Sequence, residues 1–218
     1  PLSLSMFALA ILAGRRSGSR RPSSVILAGF TLLAVGILLV LPIVPRADSG
    51  WYLVIPLIIA GSGLGLIVSQ LNNYTLSPIS DERVSEAAGV NSAAGSFGLS
   101  FGLAFGGAIM LATLSATFTS MANDSNVLPP DDKAKVSQAL EHDAEVMSNT
   151  KLQEQLVDEP PDVQAEILSI NTDARHIALQ VALLIPLGAA LIGVGNSLRM
   201  RRLPDPEPSG SGEPMALG

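Results

Sequence analysis

The 218 residues carry 13 Lys+Arg against 19 Asp+Glu, no Cys and 48% apolar side chains. Without Cys there is no disulfide scaffold, thiol chemistry or Cys-ligated zinc, and two His far apart in sequence (His142 and His176) do not make a metal site. The net charge of −6 comes largely from one segment, and no basic patch interleaved with aromatics points to nucleic acid.

Where the charges fall says more than their sum. Five stretches hold no Asp, Glu, Lys or Arg: Pro1–Gly14, Pro22–Pro45, Ser49–Ser80, Ala87–Asn123 and His176–Leu198, of 14, 24, 32, 37 and 23 residues. A helix packed on a water-soluble core keeps a polar face, whereas about 20 largely apolar residues cross the hydrocarbon of a bilayer. The pattern predicts an all-α, polytopic membrane helix bundle. Membrane β-strands would alternate apolar and polar side chains over about 10 residues; these runs are continuous.

In chain order, the first helix is Pro1–Gly14, read as the clipped end of a span because the chain opens in an apolar run without an initiating Met. The second covers Ser24–Val44, the third Trp51–Leu76, the fourth Glu86–Phe118 and the fifth Ala174–Met200. Pro56 and Pro186 fall inside spans, where proline is tolerated and usually kinks the helix. Four membrane helices thus occupy 1–118, an outer loop 119–173 and a last membrane helix 174–202. The tail 203–218, rich in Pro, Gly and Ser, is expected to be disordered.

Basic residues orient the bundle. Arg15, Arg16, Arg20, Arg21, Arg83, Arg199, Arg201 and Arg202 share one side, which is therefore expected to be cytoplasmic. The basic loop of Arg15, Arg16, Arg20 and Arg21 suits anionic headgroups. Segment 119–173, with 12 acidic residues and three Lys, is left outside. After a Leu128-Pro129-Pro130 turn, Asp131–Met147 and Pro160–Ile170 have helical spacing. This segment reads either as a solvated helical cap or as a vestibule that attracts cations.

Gly98, Gly102 and Gly106 recur every four residues in the fourth span; the third repeats the theme with Gly61, Gly63 and Gly65, of which Gly61 and Gly65 have that spacing. Residues four apart share a helix face, so these glycines predict close helix packing. Ser92, Ser96 and Ser100 line an adjacent face of the fourth span. Amides within hydrocarbon need a partner or water. Gln70, Asn73 and Asn91 are candidates for lining an aqueous cavity together with Ser92 and Ser96; for Gln70 and Asn91 a bond to a neighbouring helix is equally open. Asn72, Tyr74 and Asn196 are expected to bond neighbouring helices or to lie at headgroup level, and His176 to be interfacial. No Asp, Glu, Lys or Arg lies within the body of a span, so any proton acceptor must come from elsewhere. No nucleophile–base arrangement, paired carboxylates or phosphate-cradling loop occurs, so neither an enzyme nor a cofactor is expected.

The stretch Asp81–Met110, DERVSEAAGVNSAAGSFGLSFGLAFGGAIM, resembles the loop and penultimate span of the fourteen-span drug:proton antiporters of the major facilitator superfamily. The likeness rests on Glu82, Arg83, Gly89, Gly98 and Gly102. Gly61–Pro78 is similar to that family's small-residue span, and Leu12–Phe30 to its basic loop between the second and third spans of each half. Two departures stand out: Gly18 occupies the place of an acidic residue, and Gly95-Ser96 that of an Arg-Gln pair. The resemblance implies a partial C-terminal half of a major facilitator transporter, sitting in the plasma membrane with its C-terminus cytoplasmic. It implies multidrug efflux, the proton-coupled export of amphipathic small molecules between two six-helix bundles. The partners implied are lipid, a small-molecule substrate, protons and a missing N-terminal half. A different permease or lipid exporter of the superfamily shares these features. A non-transporting membrane scaffold or regulatory subunit is the alternative of another class.

Overall fold

The computed structural model describes residues 1–15, 21–47, 49–129, 133, 149–157 and 159–202. Of these, 89% are helical and none lies in a strand. The α-helices are α1 (Leu2–Arg15), α2 (Pro22–Ile43), α3 (Val54–Leu76), α4 (Val84–Asp124), α5 (Asn149–Gln155) and α6 (Pro161–Met200). Four stretches are long and apolar enough to cross a membrane: Pro22–Arg46, Gly50–Leu76, Val84–Asp124 and Pro161–Met200. At about 1.5 Å per residue, even the shortest of them, 25 residues, exceeds a hydrocarbon core of about 30 Å. The protein is a membrane helix bundle. Arg16 and Arg20, most of the expected helical piece Asp131–Met147 and the tail 203–218 lie outside the described residues.

Three local features differ from the sequence reading. Pro56 is the third residue of α3, preceded by a 3-10 turn over Gly50–Leu53. It therefore sits in a first turn, whose N–H groups have no intrahelical acceptor, and no interior kink is required of it. The proline inside α2 is instead Pro42, in its last turn. A 3-10 turn over Val44–Arg46 follows, and the Arg46 guanidinium donates to the Pro42 carbonyl at 2.9 Å, occupying an acceptor that a helix end leaves open. The third difference is length: α4 continues to Asp124 and α6 begins at Pro161, before the expected Ala174. A reading by uncharged runs ends a helix at its first charges. Here Glu166, Asp173 and Arg175 lie among Val163, Ile167, Ile170 and Ala174, which keep one buried face going.

The chain divides into two compact units: Pro1–Leu99 with Pro186–Gly218, and Ser100–Ile185. In the first, α3 lies between α1 and α2, and glycines set both contacts. A Cβ added at Gly61 would meet the Leu2 carbonyl and the Ser5 hydroxyl; one at Gly65 would meet the Met6 carbonyl and Ala10. Both partners advance by four residues in the same sense, so α1 and α3 run parallel. On the other side of α3, a Cβ at Gly63 would lie 2.5 Å from the Gly29 carbonyl oxygen and 2.6 Å from the Leu33 nitrogen, while Gly36 meets Ala60. Here the order reverses, so α2 is antiparallel to α3. The end of α6 joins this unit where Gly193 faces the Phe30 ring. Hydroxyls within the helices return to their own backbone: Thr31 to the Leu27 carbonyl at 2.8 Å, Thr75 to Leu71 at 2.8 Å and Ser197 to Gly193 at 2.7 Å, which removes their cost in lipid. Trp51 and Tyr52, 81% and 64% exposed, stand in the 3-10 turn just before α3, where amphipathic rings favour a membrane interface.

The second unit is built on side chains. Leu114, Phe118 and Ala122 of α4 meet Val163, Ile167, Ile170, Ala174 and Ala178 of α6, with Leu128 completing the core. Spacings of three and four put each set on one helix face. The end of α4 is capped by polar groups. Ser125 Oγ donates to Glu166 Oε1 at 2.6 Å and accepts from the Val127 N–H at 3.1 Å. Lys133 Nζ donates to the Asn123 and Ser125 carbonyls at 2.7 and 2.6 Å, placing a cation at the negative end of the helix dipole. Asn149, at the start of α5, ties to α6: it accepts from Asn171 at 2.7 Å and donates to Thr172 at 3.1 Å.

The contrast between crowded and open glycines is testable. Gly63→Ala forces a methyl onto backbone atoms and is expected to destabilise the protein by about 1–3 kcal/mol. Gly102→Ala, whose Cβ would meet nothing within 4 Å, should be neutral or stabilising by up to about 1 kcal/mol through helix propensity. Unfolding in detergent micelles measures both, and equal effects at the two sites would contradict the packing described.

Candidate functional site

The polar residues of interest gather where α3 ends and α4 begins. The helices are joined by residues 77–80 and a 3-10 turn over Asp81–Arg83. Arg83 of the Glu82-Arg83 pair forms an exposed ion pair with Glu86, Nε to Oε2 at 3.4 Å, of the kind that adds little stability. Two turns into α4, Asn91 Nδ2 donates to Asn72 Oδ1 on α3 at 2.9 Å. In a membrane such an interhelical bond contributes about 0.6–1.7 kcal/mol, enough to fix a register without locking it.

The cavity candidates do not share one surface. Gln70 is closed to solvent at 3% exposure, one turn beyond the Ile67 that meets Gly29. No buried side-chain polar atom among the described residues lacks a hydrogen-bond partner. Asn91 is half-buried in its bond to Asn72, which is the interhelical role open to it from sequence, and Asn72 plays the same role. Ser92 and Ser96 are exposed on α4. The Asn73 side chain lies outside what the structure describes. Asn72 with Asn91 is thus the pair that folding brings together. Asn91 opens the small face of α4, which Gly98 and Gly102 continue along the same side of the helix.

That face is open. Cβ atoms built at Gly95, Gly98, Gly102 and Gly106 meet nothing within 4 Å, unlike those at Gly61 and Gly65. The packing expected of Gly98, Gly102 and Gly106 has no counterpart among the described residues. Beside it runs an exposed aromatic ridge, Phe97, Phe101 and Phe105, in which the rings of Phe101 and Phe105 stack at 5.6 Å. Each interior glycine disfavours helix by about 1 kcal/mol relative to alanine, and among the described residues no neighbour comes within 4 Å of a Cβ at these positions to offset that.

Three more glycines in close contact, Gly29 and Gly36 of α2 and Gly193 of α6, have no place in the sequence reading. Gly29 and Gly36 are seven residues apart, two helical turns, which is the signal that marks them as one face. Gly63 was legible only as the residue between Gly61 and Gly65, about 200° round the helix from either, and so pointing to a second neighbour. Among the described residues no group of three or more His, Asp or Glu is placed to hold a metal ion. The chain matches no model of a known protein family, no curated protein and no solved structure.

The Asn72–Asn91 bond predicts coupling. In a double-mutant cycle of Asn72→Ala and Asn91→Ala, unfolding in micelles should show an interaction free energy of about 0.6–1.7 kcal/mol. Strict additivity of the two substitutions would mean that the amides do not act on each other.

Proposed function

We propose that this chain is part of a transporter of the major facilitator type that exports amphipathic small molecules in exchange for protons, and that it works with a companion bundle. The observation that carries this reading is the open α4. This helix is long and apolar enough to cross the membrane, yet its Gly98–Gly102–Gly106 face touches nothing in the described chain and its serines Ser92 and Ser96 are exposed. A spanning helix that displays glycine, serine and one amide, next to three phenylalanines, suits one wall of a shared cavity better than a surface bathed in lipid tails. The uncharged spans agree with a division of labour in which the companion supplies the proton acceptor. The Glu82-Arg83 opening and the glycine spacing after it are the residues through which the chain resembles the antiporters.

In this reading the Arg-rich end faces the cytoplasm, with Arg15, Arg21, Arg83, Arg199, Arg201 and Arg202 close to the headgroups of the plasma membrane. The chain has no Cys, so single introduced cysteines report topology without background. Val157→Cys, at a position 70% exposed, should react with an impermeant maleimide in intact cells, and Arg202→Cys only after permeabilisation. The reverse pattern would invert the orientation.

The transport reading itself is tested by proton flux. The purified chain in liposomes is expected to give no flux when lipophilic compounds are added, and the chain co-reconstituted with a companion helix bundle is expected to give it. Substrate-dependent flux from the 218 residues alone would remove the companion. Absence of flux from the complete pair, with a panel of cationic and neutral amphipathic compounds, would remove export and leave the scaffold.

A further inference from the structure

α4 meets the first unit in a different way from how α1, α2 and α3 meet one another. Those three interlock through glycine backbones, to the point that a single methyl at Gly63 or Gly36 would strike main-chain atoms. α4 is attached at its foot, by the connecting residues 77–80 and by the Asn91–Asn72 bond. One turn further along α4, Gly95 meets nothing within 4 Å, and neither does Gly98. The first part of α4, fastened at its foot and open at Gly95 and Gly98, is a lever whose resistance to swinging near α3 lies in whatever fastens the foot.

We infer that the Asn72–Asn91 bond is a latch that sets the angle of the first part of α4 against α3, and that α4 changes that angle when the latch opens. Two neutral amides suit the task. Each has both a donor and an acceptor, so on separation each can turn to interfacial water or a lipid headgroup without stranding a charge. A tie of this size opens thermally at a measurable population, so α4 samples a second angle even without a ligand. The open glycines permit the swing, because no contact at Gly95 or Gly98 has to break first. The device follows from the packing of unit one and does not depend on what the protein carries.

The test uses the full chain in lipid nanodiscs, with spin labels at Ile58→Cys on α3 and Leu99→Cys on α4, both exposed and away from the latch. A second labelled pair, Leu12→Cys with Ile58→Cys, reports on the α1–α3 contact. With the latch intact, pulsed electron–electron resonance is expected to give one main Ile58–Leu99 distance and a minor second population. Asn72→Ala and Asn91→Ala should each shift and broaden that distribution, the double variant no further than either single one, while Leu12–Ile58 stays unchanged. An unaltered Ile58–Leu99 distribution in all variants overturns the latch, and so does additive broadening in the double variant. A parallel change in Leu12–Ile58 also overturns it, since the amides would then be holding the bundle together rather than positioning α4.

Discussion

Backbone stands against backbone where α3 passes between its neighbours. Gly63 comes so close to the Gly29 carbonyl and the Leu33 nitrogen of α2 that a methyl does not fit, and Gly61 and Gly65 do the same against α1 on the opposite side. In lipid an apolar side chain gains nothing by leaving the hydrocarbon for a neighbouring helix, so cohesion comes from close dispersion contact and from whatever polar groups can pair. Glycines at 61, 63 and 65 let one helix hold two partners in this way. The registers of α1 and α2 against α3 follow from those contacts.

The second unit solves the same problem by other means. Leu114, Phe118 and Ala122 pack against a heptad-like seam from Val163 to Ala178, and Ser125, Lys133 and Glu166 satisfy the end of α4 with side chains. Charged residues on the far faces of α6, such as Asp173 and Arg175, are those of a helix that meets water on one side. One chain therefore uses two packing chemistries, and α6 changes from one to the other along its length. Glycine is used where lipid offers no driving force, and branched or aromatic side chains where water does.

α4 is where these arrangements leave something unfinished. Its glycines weaken the helix without gaining a close neighbour among the described residues, and its Asn91 amide ties to α3. Sequences in which every local choice supports the fold are the rule, and departures concentrate at sites with work to do. The proposed exporter accounts for the departure by assigning the open face to a cavity shared with a companion bundle. The proposed latch accounts for the tie. The two are independent, because the angle of a helix and the identity of what passes beside it are set by different contacts.

Much of this was readable along the chain. Uncharged runs marked the spans, since transfer into lipid is close to a sum over residues and leaves its record in order. The spacing of Gly61 and Gly65 marked a close contact, although it did not say with which helix. Helix ends were harder: α6 starts at Pro161 because Val163 and Ile167 find Leu114 and Phe118, a matter of packing that a charge pattern conceals. The same limit separates Gly63 from Gly102, equal in sequence terms and opposite in surroundings, and pairs Asn91 with Asn72 across a turn while Gln70 is shut inside. By itself the sequence determined the solvent this chain lives in, the number of its long spans and which residues were small or polar within them. Tertiary structure alone decided which small faces are filled and which amides meet, because those depend on contacts between segments that are distant along the chain.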